Sequence, residues 1–460
     1  MTPGSSSGGG RRPTGSGEAR GAKKPSGPGG APTPRSGGRP GRPAGPSGSG
    51  RPGRPPAGKG ETPAAAEKTT AVVPKPELSS YRPDLARELA ARNETSFRYR
   101  QVYEHLTHHR GVPFSVATSL PGELREALEA LGHSTLGLHS RADDPDGTTK
   151  LLLRAVCDKV SLETVIMRYR KRVTVCVSTQ AGCSLGCAFC ATGSLGLNRS
   201  LSAAEIVDQV QHASVLLAEE GRKASNVVYM GMGEPLLNLD AVLLSLRLLH
   251  DPKGWGMSAR SLSVSTVGIP SGIRRMAREE PQVNLALSLH AADDALRSSL
   301  IPANRRYPLR EVMRACEDHF ALTRRKLFVE YLLLEGVNDS PKQATALADL
   351  LKGRVVAVNL IPWNPGWGEF RPSSPEATDA FMNALRSRNV EVSQRESRGA
   401  SISAACGQLV AGTRPKRPAR PQASRPDDAR PSGGVTGKPK EIVPPAKSTK
   451  RRPPPTRDGR

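Results

Sequence analysis

Residues 180–193 read QAGCSLGCAFCATG and place Cys183, Cys187 and Cys190 within eight positions of one another. The C-x3-C-x2-C spacing is too compact for the usual zinc arrangements, which pair two C-x2–4-C halves far apart in the chain. An electron-transfer iron–sulfur site normally adds a fourth thiolate a few residues on, and none follows Cys190. Three cysteines in one glycine-rich loop is not core composition either. Two metal readings remain: zinc completed by Cys176, or a 4Fe-4S cluster whose three thiolates leave one iron open. We prefer the second. An open iron can chelate the amino and carboxylate groups of S-adenosylmethionine (SAM). Electron transfer from the cluster then breaks a carbon–sulfur bond and yields a 5′-deoxyadenosyl radical.

Outward from this loop the chain alternates between two periods. Strand-like runs occur at 172–178 (RVTVCVS), 226–231 (NVVYMG), 261–266 (SLSVST), 283–289 (VNLALSL), 327–334 (LFVEYLLL) and 355–361 (VVAVNLI). Helical pieces separate them, one opening at Ser202 with a capping box to Glu205. Six β/α repeats imply a mostly parallel sheet with helical crossovers, with ligands expected at the carboxyl ends of its strands. Upstream, 149–156 (TKLLLRAV) and 162–169 (LETVIMRY) read as short antiparallel strands leading into the first repeat. Before them, PDLARELAAR and PGELREALEALG space Leu and Ala as helices do, the second stopping at Gly132.

The chain has 460 residues and a net charge of +24. The first 79 residues carry 13 Lys/Arg against 4 Asp/Glu, and residues 412–460 carry 14 against 4, so only +5 belongs to the part between. Both end segments are rich in Pro, Gly and Arg and too poor in apolar surface to offset the entropy of ordering. The expected organisation is a disordered tail (1–79), a helical accessory domain (80–150), an α/β core (151–411) and a second disordered tail (412–460). Basic tails suit weak, salt-dependent contact with RNA or DNA phosphates; a solubilising extension without a defined partner reads equally well. No apolar run reaches the roughly 20 residues of a membrane span. The start lacks a secretory segment, and seven cysteines, clustered and odd in number, are no disulfide framework. A reducing cytoplasm is the expectation.

C-x3-C-x2-C with Phe189 before the last cysteine resembles the radical SAM superfamily. The ordered set QAGCSLGCAFCATG, MGMGEPL, VSTVGIP, LALSLHA, NLIPWNP and ACGQL is similar to the RlmN/Cfr family of RNA adenosine methyltransferases over residues 80–411. The resemblance implies a partial (β/α)6 TIM-like barrel, a 4Fe-4S cluster on Cys183, Cys187 and Cys190, and SAM as cofactor. It implies that Cys406 carries the methyl group, that Cys176 resolves a covalent RNA adduct through a Cys176–Cys406 disulfide, and that Glu163 handles a proton at the modified carbon. By the same matching, Gly233 and Glu234 approach the methionyl amine, and Ser265, Ser288, Leu289, His290 and Asn364 hold ribose and adenine. Methylation of adenosine C2 in 23S rRNA and in tRNA is the expected activity, by a monomer that draws electrons from a flavodoxin or ferredoxin. The alternatives are Cfr-type C8 methylation, a non-catalytic RNA-binding or assembly protein with a relic cluster, and a radical SAM enzyme for a small substrate. Cys157 and Cys316 match no motif and read as structural.

Overall fold

The computed structural model describes residues 76–364 and 369–411. The expected tails therefore lie outside the described residues, except that 76–79 lead into the helix Leu78–Tyr81. Helices Pro83–Ala91, Ser96–His108 and Gly122–Leu131 follow, and the last ends at Gly132 with φ 76°. Their leucines meet: Leu85, Leu89, Leu106, Leu124 and Leu128 are buried. Tyr81 fixes this helical part to the barrel by donating to Asp208 (3.1 Å), which also accepts from the Thr135 N–H (2.6 Å).

The helical stretch is shorter than expected. Residues 136–150, assigned to it from sequence, are instead strand β1 (Leu136–Asp143) and the start of β2 (Thr148–Ala155). β1 shows one buried and several exposed positions, an edge strand without the apolar alternation that marks strands in sequence. β3 (Ser161–Arg168) and β4 (Val173–Cys176) continue an antiparallel run β1-β2-β3-β4, as the sequence implied for the last three.

β4 then pairs in parallel with β7 (Asn226–Tyr229), and the sheet continues through β8 (Leu262–Thr266), β9 (Asn284–Ser288), β10 (Leu327–Leu333), β11 (Val356–Pro362) and β12 (Val392–Gln394), all parallel. Between them run the helices Ala203–Glu219, Leu239–His250, Pro270–Glu279, Leu309–Thr323, Pro341–Leu351 and Pro375–Arg386. The first carries the expected box: Ser202 Oγ accepts from the Glu205 N–H and Glu205 accepts from the Ser202 N–H (2.8 Å). β1 and β12 lie at opposite ends of the strand order, so the six β/α units form an open, partial barrel. β4, β10 and β11 are buried along most of their length, as expected where both faces are covered. Among the described residues no helix is long and apolar enough to cross a membrane.

The cysteine loop itself departs from a plain loop. β5 (Gln180–Cys183) and β6 (Gly196–Ser200) pair as a separate small ribbon. Gly182 permits this: its φ is +81°, and a Cβ there would lie 2.0 Å from the Gly196 carbonyl oxygen. Ala188 N–H donates to Leu300 O (2.9 Å), pinning the tip against the barrel mouth.

Candidate active site

The motifs converge at the carboxyl ends of the parallel strands. One cavity is lined by Cys183, Cys187, Cys190, Gly233, Glu234, Ser265, Ser288, His290 and Glu330. A second, beside it, is lined by Cys176, Asn364, Arg398, Ala404 and Ala405. Cys406, Gly407, Cys190, Thr192 and Arg395 border both. The exposed Cys406 thiol therefore stands on the wall between the cluster cysteines and the buried Cys176.

Burial dominates the chemistry of the three loop thiols. It pushes Cys183 up to about 12, opposed by a backbone hydrogen bond from Leu185. Cys187 is raised well above the ordinary thiol value by burial, then by Cys190 and Cys183 beside it. Cys190 is raised by burial, opposed by backbone hydrogen bonds from Gly193 and Thr192. Three neighbouring sulfurs that resist becoming thiolates together call for a cationic partner, and thiolates prefer soft metals. That donor set fits an iron–sulfur cluster. Among the described residues no three His, Cys, Asp or Glu side chains converge to hold a single ion. Thiolates that each bind a different iron of a cube have no need to converge.

Glu234 is buried behind this loop. One of its carboxylate oxygens accepts from Leu236 N–H and the other from Val267 N–H, both at 3.0 Å. Burial still raises its pKa above the ordinary value, so an ammonium brought into the cavity has an acidic partner that gains from its charge. Gly233 also lines this cavity, and the fold itself requires a glycine there. Its φ is +98°, and an added Cβ would lie 2.5 Å from Gln180 Cβ. Glycine here lets the β7 loop close against β5, where Gln180 Oε1 accepts from the Glu234 N–H (3.0 Å).

Ser265 and Ser288 hydroxyls bond to one another (3.1 Å) across the ends of β8 and β9. His290 sits at φ 60° with its Nδ1 accepting from Leu332 N–H (2.9 Å), so its proton is on Nε2. Burial, with help from Arg297, holds its pKa down to about 3, and the ring is neutral. Phe189 packs edge-on against it, centroids 4.8 Å apart. Leu289 is fully buried and its N–H donates to Glu330 O (3.0 Å), a core position rather than a cavity wall. Asn364 lines the Cys176 cavity and not the cavity of Ser265 and His290 with which it was grouped.

Cys176, at the end of β4, is pushed up to about 12 by burial, then by Cys406, with Arg395 opposing. The coupling reports that the two expected partner sulfurs are neighbours. Glu163 lies on β3, 2% exposed, bound to Lys150 Nζ (3.1 Å) and to Val410 N–H (2.7 Å). The segment bearing Cys406 is tied to the cluster loop as well: Ala191 N–H donates to Gly407 O (2.8 Å) and Thr192 Oγ1 to Leu409 O (2.7 Å).

Sequence reasoning missed four residues. Arg395, just past β12, faces Cys406, Cys176 and Glu330, which raise its pKa. Glu330 on β10 is buried, accepts from Asn359 (3.0 Å) and, among the described residues, leaves Oε2 without a hydrogen-bond partner. A glutamate inside the apolar run LFVEYLLL was a usable signal, because an unpaired charge there is costly. Arg297 is fully buried and, among the described residues, donates to neutral acceptors alone, among them Leu289 O (3.0 Å) and Asn304 Oδ1 (2.6 Å), which hold the β9 loop beneath His290. Lys150 offered no signal within an ordinary amphipathic strand.

Residues 177–348 match the family model of the radical SAM superfamily. The chain is 45% identical over 332 residues to the dual-specificity RNA methyltransferase RlmN of Syntrophobacter fumaroxidans, covering 72% of this chain and 96% of that protein. It is 45% identical over 339 residues to a probable RlmN of Chloroflexus aurantiacus, covering 71% and 90%, and 52% identical over 287 residues to one of Frankia casuarinae, covering 60% and 68%. A solved radical SAM methyltransferase from Sphaerobacter thermophilus superposes with a TM-score of 0.69 at 45% identity, covering 72% of this chain and 97% of that one. With the cysteine triplet, the open barrel and these relatives together, the chain belongs to the RlmN family of radical SAM RNA methyltransferases.

Proposed function

We propose that this chain methylates C2 of an adenosine in 23S rRNA and in tRNA, with Cys406 as methyl carrier, Cys176 as resolving thiol and Glu163 as the group that handles the proton at the modified carbon. The observation that carries this reading is the position of Cys406 on the wall shared by two cavities, cluster cysteines on one side and Cys176 on the other. A transfer that begins at SAM and ends in a thiol exchange needs one sulfur within reach of both.

Cys183, Cys187 and Cys190 would hold the cluster, and Glu234, Ser265, Ser288 and His290 would line the place of SAM. The bound cluster and SAM supply a radical that abstracts hydrogen from a methyl thioether. Everything else falls to the chain. The Cys406 thiolate accepts a methyl cation equivalent from a sulfonium, an ordinary nucleophilic step for cysteine. Adenine C2 is a poor nucleophile with a barely acidic C–H, so a polar transfer has no electron pair to receive the methyl. Activating the carbon on Cys406 removes that obstacle and tethers RNA to the protein. Once the tethered base has given up one electron to the flavodoxin or ferredoxin partner and its C2 proton to Glu163, the Cys176 thiolate attacks the Cys406 sulfur; the sulfur–carbon bond breaks with its electron pair going to the methylene carbon, which takes up a proton to become the methyl group. Methylated RNA leaves and the two cysteines remain as a disulfide that an external reductant must reopen. Helices between residues 76 and 131 form the accessory part.

The test is mass spectrometry of nuclease-digested 23S rRNA and tRNA from a strain lacking the gene, complemented by the wild-type chain and by Cys406→Ala. The reading expects 2-methyladenosine to vanish and to return only with the wild type. Unchanged 2-methyladenosine, or loss of 8-methyladenosine in its place, overturns it.

A further inference from the structure

Glu163 borders neither cavity, although the reaction asks it to reach a proton on the bound base. Both its oxygens are engaged elsewhere. Oε1 meets Lys150 Nζ at 3.1 Å, and Oε2 accepts from Val410 N–H at 2.7 Å. Lys150 Nζ also donates to Ser403 O at 3.1 Å. Ser403 and Val410 flank Cys406, so this one ion pair grips the methyl-carrying segment on both sides. The register explains the pairing: Lys150 sits opposite Val165 on β3, two positions from Glu163, which puts both side chains on the same face of the β2–β3 pair. The turn between β1 and β2 adds to the grip upstream, where Asp146 accepts from Gly399 N–H at 2.8 Å.

We propose that Lys150 is a positioning residue, and that the Lys150–Glu163 pair is a latch that seats the Cys406 segment and releases Glu163 when it opens. This rests on the reading of Cys406 as methyl carrier. While the latch is closed, Cys406 is held on the wall between the cavities, where it collects its methyl, and Glu163 has no oxygen turned to the base. Lifting the segment at Val410 breaks a charge-assisted bond and frees one carboxylate oxygen. The two duties of the site then follow in order, methyl pick-up with the segment seated and proton handling with it raised. A carboxylate only 2% exposed has the Lys150 ammonium 3.1 Å away as its charge partner, which is the reason for a lysine at position 150.

The experiment is amide hydrogen exchange by mass spectrometry on the anaerobic holoenzyme, without RNA, following residues 403–411. Lys150→Met is expected to speed exchange there about tenfold or more. Lys150→Arg, which keeps the charge and the donors, is expected to stay near wild type, and Glu163→Gln to fall between, since its amide oxygen still accepts from Val410. Steady-state assays of Lys150→Met should show kcat reduced about tenfold or more with KM for RNA little changed. Wild-type exchange in Lys150→Met overturns the latch. So does a Lys150→Arg variant as exposed as Lys150→Met, because that outcome assigns the protection to stem packing. Exchange is read before any methyl transfer, so a wild-type chain that shows the latch but never methylates RNA counts against the proposed function alone.

Discussion

The pH dependence of adduct resolution follows from where Cys176 lies. Burial pushes this thiol up to about 12 and Arg395 opposes the rise; the Cys406 sulfur adds to it only as a free thiol, not as the thioether of the adduct. The attacking species is the thiolate. At pH 8 it is about four units below that value, so roughly one Cys176 in ten thousand is ionised. Between pH 7 and 9 the ionised fraction, and with it the rate of release, should climb about tenfold per unit, or about a hundredfold in all. An ordinary thiol with a pKa of about 8.5 would level off inside that window. Rapid-quench single turnovers, with the protein–RNA adduct resolved on denaturing gels, measure this step apart from the radical chemistry. Arg395→Met removes a positive charge that helps Cys176 ionise, and should slow release about tenfold at every pH while leaving the slope intact. Cys176→Ala should trap the adduct. A decay rate that changes less than about threefold across the window, or a plateau near 8.5, refutes the reasoning.

Other perturbations test other parts of the site. Cys187→Ser should abolish iron incorporation during anaerobic reconstitution while leaving the far-ultraviolet circular dichroism intact; stoichiometric iron would show that the loop does not hold the cluster as described. Gly233→Ala places a methyl 2.5 Å from Gln180 at a φ of +98°, and should cost about 2 kcal/mol or more and lower Tm by at least about 4 °C; an unchanged Tm would show that the two loops yield freely. His290, held down to about 3, is neutral in the fold but protonates in the unfolded chain below about 6.5. Its contribution to stability is complete above pH 6.5 and is lost as pH falls toward 3, amounting to about 2 kcal/mol between pH 6.5 and 5. Denaturant melts of His290→Gln should therefore lose about that much less than the wild type over this interval, and parallel losses would place the effect elsewhere.

What was legible in the sequence divides along physical lines. Runs such as VNLALSL and LFVEYLLL are buried on both faces, and their strands fall within a residue or two of the expected bounds. The capping box at Ser202 is local chemistry and appeared as read. β1 was not legible, because an exposed edge strand has no apolar period to display. The ribbon of β5 and β6 was hidden too, since glycines permit it and hydrophobicity does not drive it. In the site, motif residues were visible through their chemistry. The residues that arrange them were not, because their meaning is relational: Arg395 matters through two cysteines 11 and 219 positions away, and Lys150 through a carbonyl 253 positions on. Gly233 lines the cavity as its motif suggested, and the sequence could not show that its missing Cβ also makes room for Gln180.

Three thiolates that share an iron–sulfur cube and leave one iron for a sulfonium cofactor are the centre of the proposed chemistry. Low-temperature electron paramagnetic resonance of anaerobically purified, dithionite-reduced protein, recorded before and after adding SAM, tests that claim most directly. The expected result is the signal of a reduced 4Fe-4S centre whose g values shift when SAM binds. A silent sample containing zinc, or a cluster signal indifferent to SAM, would contradict it.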